Sequence, residues 1–420
     1  MKWPAYCLGL VGTAWAAASS LQVEKPTVVV ITGDILGYLS PCGCTKPMTG
    51  GIARQATYVK KLQSQARVVL LVNGAFVSGN SKQDALKSQA LAETFGALDA
   101  AAINLSPEDA KLGMGGLLSI QNLCRNKLAT GSIEPIAALP IRANAFTNEF
   151  AIGCISTHPE NIARPLGARP IPASRAITEI LTYAKSQESA PVLLLDGDLE
   201  EAKSIAVSHP ELRLIVYRST SDSPRTELRI GPTMLVTPGQ FGKSVITLTY
   251  DGSAFGQYQV VPLQPEFKDD AQVSRFLHRY LTEVDRGGFL DRLPRRPSEP
   301  FAGSETCGKC HAAALKTWKH SKHAQGLASL EAEGHGRDPD CVSCHVVGLT
   351  AVGGFSSRAK TPDLANVGCE SCHGPGARHS LRPHQLRMPK IGTQACTKCH
   401  NAERSPGFDA ATSWELIQHH

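Results

Sequence analysis

The pattern Cys-x-x-Cys-His occurs four times near the end of this 420-residue chain: Cys307/Cys310/His311, Cys341/Cys344/His345, Cys369/Cys372/His373 and Cys396/Cys399/His400. With Cys and His each at about 3% of residues, chance supplies roughly 0.01 such matches. The spacing has a chemical reason. Two thiols three residues apart reach the two vinyl groups of one haem, and the residue after the second thiol presents its imidazole to the iron. Zinc is the competing reading, because Cys-x-x-Cys pairs also build zinc ribbons. A ribbon has no use for a His after every second Cys. The eight Cys are therefore read as attachment points for four covalently bound haem c groups, with His311, His345, His373 and His400 as iron ligands.

Composition reaches the same reading from another side. Residues 301–420 hold 11 of the 14 His and 8 of the 13 Cys, but only 18 Leu, Ile, Val and Phe, 15% of the segment. So few apolar side chains do not close a core alone. Four large apolar macrocycles, about one per 30 residues, supply the missing interior. The region is expected to be mainly helical and irregular. Seven His outside the motifs are available as sixth ligands: His320, His323, His335, His379, His384, His419 and His420.

The elements that position these groups begin after an address label. Lys2 precedes an apolar run, Pro4 to Ala18, that ends in Ala16-Ala17-Ala18-Ser19. Residues 1–20 read as a secretory signal peptide, too short to span a bilayer with margin, and Cys7 is lost with it. The mature chain is expected to be periplasmic or extracellular, with no transmembrane segment. Its net charge of +6 splits into +3 over residues 1–300 and +3 over 301–420. No basic block stands out, which excludes nucleic acid as a partner.

Residues 25–265 alternate apolar β-branched runs (Thr27–Thr32, Arg67–Val72, Phe150–Ile155, Pro191–Asp196, Leu212–Tyr217) with helix-like stretches such as Gly51–Leu62 and Ala85–Leu98. Continuous apolar strands of this length suit the centre of a sheet in an α/β layer architecture. Thr226–Ile230 and Ser244–Tyr250 read as a closing antiparallel piece. Residues 266–300 follow as a helix, capped by Asp269 or Asp270, and a Pro/Arg/Gly-rich linker.

Within that first domain, Thr27–Asp34 (Thr-Val-Val-Val-Ile-Thr-Gly-Asp), Gly50-Gly-Ile-Ala-Arg54, Val69-Leu-Leu-Val-Asn-Gly74, Ile141–Ala145 and Val236–Gly242 resemble the N-terminal domain of 5′-nucleotidase-type metallophosphoesterases. The resemblance implies a sheet sandwich with a two-metal site of Asp, His and Asn that activates water on phosphate. This sequence departs from that pattern where it matters. Asp34-Ile35-Leu36 stands for Asp-x-His, Gly74-Ala75 for Gly-Asp, and Asn104–Glu108 for the Asn-His-Glu segment. Asp196-Gly197-Asp198 and Tyr217-Arg218-Ser219 take the place of the late His positions. A Leu or Phe does not ligate a hard cation, so the domain is read as a catalytically degenerate scaffold. Its one oddity is Pro41-Cys42-Gly43-Cys44. Cys42 and Cys44 are candidate redox thiols, or else half of two structural disulfides with Cys124 and Cys154.

The C-terminal domain, 301–420, resembles the tetrahaem cytochrome c-554 family over Cys307–Leu330, Asp340–Val346 and Val367–Gly376. That resemblance implies three haems with two His ligands each and a five-coordinate second haem, bound by His345 alone. It makes His323 one distal ligand, His379 (or His384) another, and His419 (with His420 in reserve) the last. His335, six residues before Cys341, is the residue that would close the second haem. The chain as a whole is thus expected to be an exported electron-transfer protein of two domains that works with redox partner proteins, other cytochromes among them. Two other readings remain open. One is a reductase acting on a small nitrogen compound at the His345 haem; the other is a phosphoesterase fused to a cytochrome.

Overall fold

The computed structural model describes residue 1 and residues 25–41, 48–401, 403–405 and 407–419. The leader-like segment and the Cys42/Cys44 loop lie outside the described residues. Twelve strands are present among those described: β1 (Thr27–Gly33), β2 (Arg67–Asn73), β3 (Ala102–Asn104), β4 (Leu128–Ala129), β5 (Asn144–Phe146), β6 (Phe150–Ser156), β7 (Ala190–Asp196), β8 (Leu214–Val216), β9 (Leu228–Ile230), β10 (Thr233–Val236), β11 (Ser244–Tyr250) and β12 (Phe255–Pro262). They form two mixed six-stranded sheets, ordered β12-β11-β1-β2-β3-β4 and β5-β6-β7-β8-β10-β9.

The strands are apolar on both faces because each sheet is covered twice. Successive side chains point to opposite faces. Val29, Ile31, Val69 and Leu71 of the first sheet meet Ile152, Cys154, Val192 and Leu194 of the second in a shared core. The alternate residues Val30, Leu70 and Val72 face outward onto the helices Ile52–Gln65, Lys82–Ala97 and Ala271–Arg286. Leu193, Leu195 and Ile215 do the same against Ala173–Ser186 and Leu199–Ser208. The result is a four-layer α/β sandwich.

One expectation is corrected here. Thr226–Ile230 and Ser244–Tyr250 do not pair with each other: β9 closes the second sheet against β10, while β11 runs antiparallel to β1 and to β12 in the first. The helix Ala271–Arg286 is capped by Asp270, whose side chain accepts from the Gln272 and Val273 amides. Beyond this helix the chain stays in contact with the C-terminal region. Leu290 is fully buried, and Arg295 donates to the carbonyls of Ala351 (3.2 Å) and Phe355 (2.9 Å).

The described residues of 301–419 form short helices and loops around a small apolar cluster of Leu327, Val342, Val346, Val347, Leu349, Phe355 and Leu364 with Leu290. Among the described residues no helix is long and apolar enough to cross a membrane.

Candidate functional site

Each Cys-x-x-Cys-His motif lies in or beside a single helical turn, such as Cys369–His373. A helical turn brings residues i and i+3 close together, which sets the two Cys of a motif side by side. Cys310 departs from the interior setting expected of a haem-attachment thiol. It is exposed, whereas the other seven motif cysteines are half-buried. The reason is its place at the rim of the region: the helix beginning two residues later, Ala312–His320, buries none of its residues. The first motif therefore presents Cys307 to the protein and Cys310 to the surface.

The histidines meet in pairs across the chain. The ring centroids of His311 and His379 are 6.3 Å apart, those of His323 and His400 6.1 Å, and those of His373 and His419 6.0 Å. A metal–imidazole bond is about 2.0 Å and the ring centre lies roughly 1 Å beyond, so two imidazoles on opposite sides of one iron sit with centroids roughly 6 Å apart. The three pairs fit a haem iron between them. Every pair joins a motif His to one from outside the motifs.

Backbone contacts set the ring orientations. His379 Nδ1 lies 2.5 Å from the Leu386 carbonyl, His419 Nδ1 2.9 Å from that of Ile417, and His345 Nδ1 2.7 Å from that of Gly326. A carbonyl only accepts, so Nδ1 donates and Nε2 is the bare nitrogen left for a metal. Burial pushes His323, His373 and His400 below the usual imidazole range, with His345 adding to the effect at His323, His419 and His311 at His373, and His323 and His345 at His400. The neutral ring is the form that ligates.

The same proximities sort the motifs into two neighbourhoods. The Cys307 and Cys369 side chains are neighbours, as are those of Cys344 and Cys399. The first motif thus adjoins the third, and the second adjoins the fourth. Glu370, which sequence reasoning passed over, ties the first neighbourhood together. Its buried carboxylate accepts from the amides of Ala302 (2.9 Å), Gly303 (2.8 Å) and Gly376 (2.6 Å). Only its place inside the third motif hinted at a role.

His345 differs from the other three motif histidines. Among the described residues no ring pair of this kind includes it. His335 is turned elsewhere, with Nδ1 3.8 Å from Cys341 Sγ and 3.9 Å from Asp338 Oδ2. His320 is exposed and lies 2.7 Å from the Lys316 carbonyl through Nδ1, and His384 is exposed. His420 is outside the described residues.

A second cluster forms where strand ends of both sheets converge, the place where α/β sheets build ligand sites. Asn73, at the end of β2, donates to the carbonyls of Leu195 (3.0 Å) and Val216 (2.9 Å) in the opposite sheet. Arg218 lies at the centre. Its guanidinium reaches Asp34 at 2.7 Å, Asp196 at 2.6 Å and Glu108 at 3.1 Å. Burial alone would weaken its hold on a proton, but the three carboxylates keep it above even the ordinary arginine range. The residues do not fit the metal pair of the phosphoesterases, because a fixed organic cation already takes the carboxylate lone pairs a metal would need. The sequence showed the lost His at this position but not what the Arg does there. Cys124 and Cys154 are free, fully buried thiols, so neither takes up the disulfide the sequence left open to it. Burial raises both thiols and makes them unreactive.

Comparison with known proteins divides along the same line. The family described as "Cytochrome c554 and c-prime" matches residues 306–374, which take in three of the four motifs. Cytochrome c-554 of Nitrosomonas europaea is 39% identical over 92 residues, covering 18% of this chain and 39% of that protein. The chain therefore spans well under half of that relative's length. The fold of the N-terminal part is that of the 5′-nucleotidase precursor from Thermus thermophilus (TM-score 0.54, 15% identity, 73% of this chain and 68% of that chain). The Thermus thermophilus sulfate thiohydrolase SoxB is similar to a like degree (TM-score 0.52, 15% identity, 71% and 68%). The C-terminal region is thus similar to a c-type cytochrome, and the N-terminal region has the metallophosphoesterase fold.

Proposed function

We propose that the chain is an exported tetrahaem c-type cytochrome that transfers electrons, built onto a phosphoesterase-like domain that serves as a scaffold and not as a hydrolase. The observation that carries this reading is the set of three imidazole pairs at 6.0–6.3 Å. In it the eight motif Cys would hold four haem c groups, Cys310 from an exposed position. His311 and His379 would ligate the first iron, His373 and His419 the third, and His400 and His323 the fourth, while His345 would ligate the second with no imidazole paired to it among the described residues. When bound, the haems supply one-electron chemistry, with potentials set by axial ligands, burial and nearby charge. The chain's own contribution is to keep Nε2 of its ligands bare, hold the paired rings 6.0–6.3 Å apart, and set the first motif beside the third and the second beside the fourth. Domains at 25–265 and 301–420 and a leader over 1–20 complete the reading, with redox proteins of the exported compartment as partners. Haem content tests it. The pyridine haemochrome of the purified protein, divided by protein concentration, should give four haems per chain; two or fewer would end the proposal.

One specific observation supports a second reading. With no imidazole pair formed by His345 among the described residues, and with His335 directed at Cys341, a small nitrogen compound has an open iron position to bind. Reduction of nitric oxide, nitrite or hydroxylamine at that haem would then be the activity. The phosphoesterase reading gains nothing from the Arg218 cluster.

A further inference from the structure

The loop leading into the second motif is held from outside the cytochrome region. Gln83, on the helix Lys82–Ala97, donates through Nε2 to Asp338 Oδ1 at 2.9 Å and to the Tyr280 hydroxyl at 2.9 Å. Tyr280, on the helix Ala271–Arg286, donates in turn to Asp338 Oδ2 at 3.1 Å. Lys87 pairs with Asp340, one residue before Cys341. Arg337 pairs with Asp285 (3.0 Å) and Asp291 (2.7 Å). Asp338 and Tyr280 are both buried, at 5% exposure. The same Asp338 oxygen that accepts from Tyr280 faces His335, whose Nδ1 in turn abuts Cys341. An unbroken chain of contacts therefore runs from the phosphoesterase-like fold, through Asp338, to the imidazole nearest the second motif.

We infer that Gln83 and Tyr280 are positioning residues for the second haem: through Asp338 they hold His335 against Cys341 and so keep the iron position opposite His345 open. The inference rests on the reading that His345 carries a haem with no second protein ligand. Its physical basis is the accounting of one buried carboxylate. Asp338 accepts from Gln83, Tyr280 and the Asp340 amide (3.1 Å), and a buried carboxylate stays put only while its lone pairs are satisfied. Without the two donors from the N-terminal region, Asp338 turns toward other partners and His335 loses its anchor. A released imidazole at the edge of a haem with an open position is a ligand in waiting. The scaffold thereby acquires a function of its own, the control of ligation at one haem out of four.

The test uses the full-length, haem-loaded protein in five forms: wild type, Tyr280→Phe, His335→Ala, Gln83→Leu with Tyr280→Phe, and that pair combined with His335→Ala. Electron paramagnetic resonance of the oxidised proteins reads the spin state, and the low-spin signals of the three paired haems report that the fold is intact. The high-spin signal of the wild type is expected to fall at least about twofold in the double variant and to return in the triple variant. Tyr280→Phe alone, which removes one oxygen atom, should move the signal in the same direction by less. A double variant that keeps the full high-spin signal overturns the inference and leaves the open-haem reading standing. A wild type without a high-spin signal, in which His335→Ala creates one, overturns both, because His335 is then the sixth ligand.

Discussion

The imidazoles of His323 and His400 face each other with centroids 6.1 Å apart, although one follows the first motif and the other closes the last. The fourth motif thus takes its partner ring from the opposite end of the cytochrome region. Val367 holds His323 in place between the two. Its amide donates to the His323 carbonyl at 3.1 Å, and its carbonyl accepts from Trp318 Nε1 at 2.8 Å. The proposed haem-ligand set is therefore a product of tertiary packing across the whole region.

Replacing a distal ring should convert one haem without disturbing the others. His323→Ala is expected to add about one quarter of the iron to the high-spin population, and His379→Ala to do the same at the first haem. His320→Ala and His384→Ala, which remove rings with no facing partner among the described residues, should leave the spectrum unchanged. A spin-quantified resonance spectrum of each variant decides.

Removing Arg218 leaves Asp34, Asp196 and Glu108 converging without a cation. Breaking a buried ion-pair set by deleting one partner costs about 3 kcal/mol or more, so Arg218→Met should lower the melting temperature of the N-terminal region by several degrees. Arg218→Lys should recover part of the loss. In the wild type, a chelator that strips divalent ions should leave that transition where it was. A calorimetric trace of each protein checks both statements.

Asp109 gives the N-terminal region a pH dependence of defined sign. Full burial raises its carboxyl to about 7, above the value of about 3.9 in an unfolded chain. The folded state therefore binds this proton more tightly. The stability Asp109 contributes is complete below about pH 4 and is lost as pH rises through 7. Urea denaturation should show Asp109→Asn losing less stability than wild type between pH 5 and pH 8, by on the order of 2 kcal/mol. Equal slopes for the two proteins would contradict this assignment.

Glu370→Ala deletes the acceptor for the three amides of Ala302, Gly303 and Gly376. Hydrogen bonds to a charged group contribute about 1.5–3 kcal/mol each when their partner is buried, so this variant should be among the least stable in the cytochrome region. Loosening of the Gly376 turn, which leads into His379, should broaden the signal of the first haem. Thermal melts followed in the haem Soret band measure the first effect, and the resonance linewidth the second.

Much of this arrangement was readable in the chain, for identifiable reasons. β1, β2, β6 and β7 declared themselves because each is apolar on both faces, and the four motifs because covalent attachment demands a fixed spacing. β3, β4 and β5, at two or three residues each, are too short to show a period. β12 is mostly exposed and lacks the continuous apolar run that marked the others. Spacing marked Cys310 as one of eight equivalent thiols, and nothing local to it told that its motif sits at the rim. Which spare His faces which motif is a long-range relation that local spacing does not encode. Arg218 looked only like a lost ligand until strand ends from two sheets brought three carboxylates around it. Asp338 drew no attention, because its partners Gln83 and Tyr280 lie in a different part of the chain.

The most direct test of the central claim is the electron paramagnetic resonance spectrum of the oxidised wild-type protein, with spins quantified against the haem content. Three low-spin haems and one high-spin haem, about one quarter of the iron, are the predicted result. Four low-spin haems would contradict an open position at His345, and two or more high-spin haems would contradict the histidine pairs.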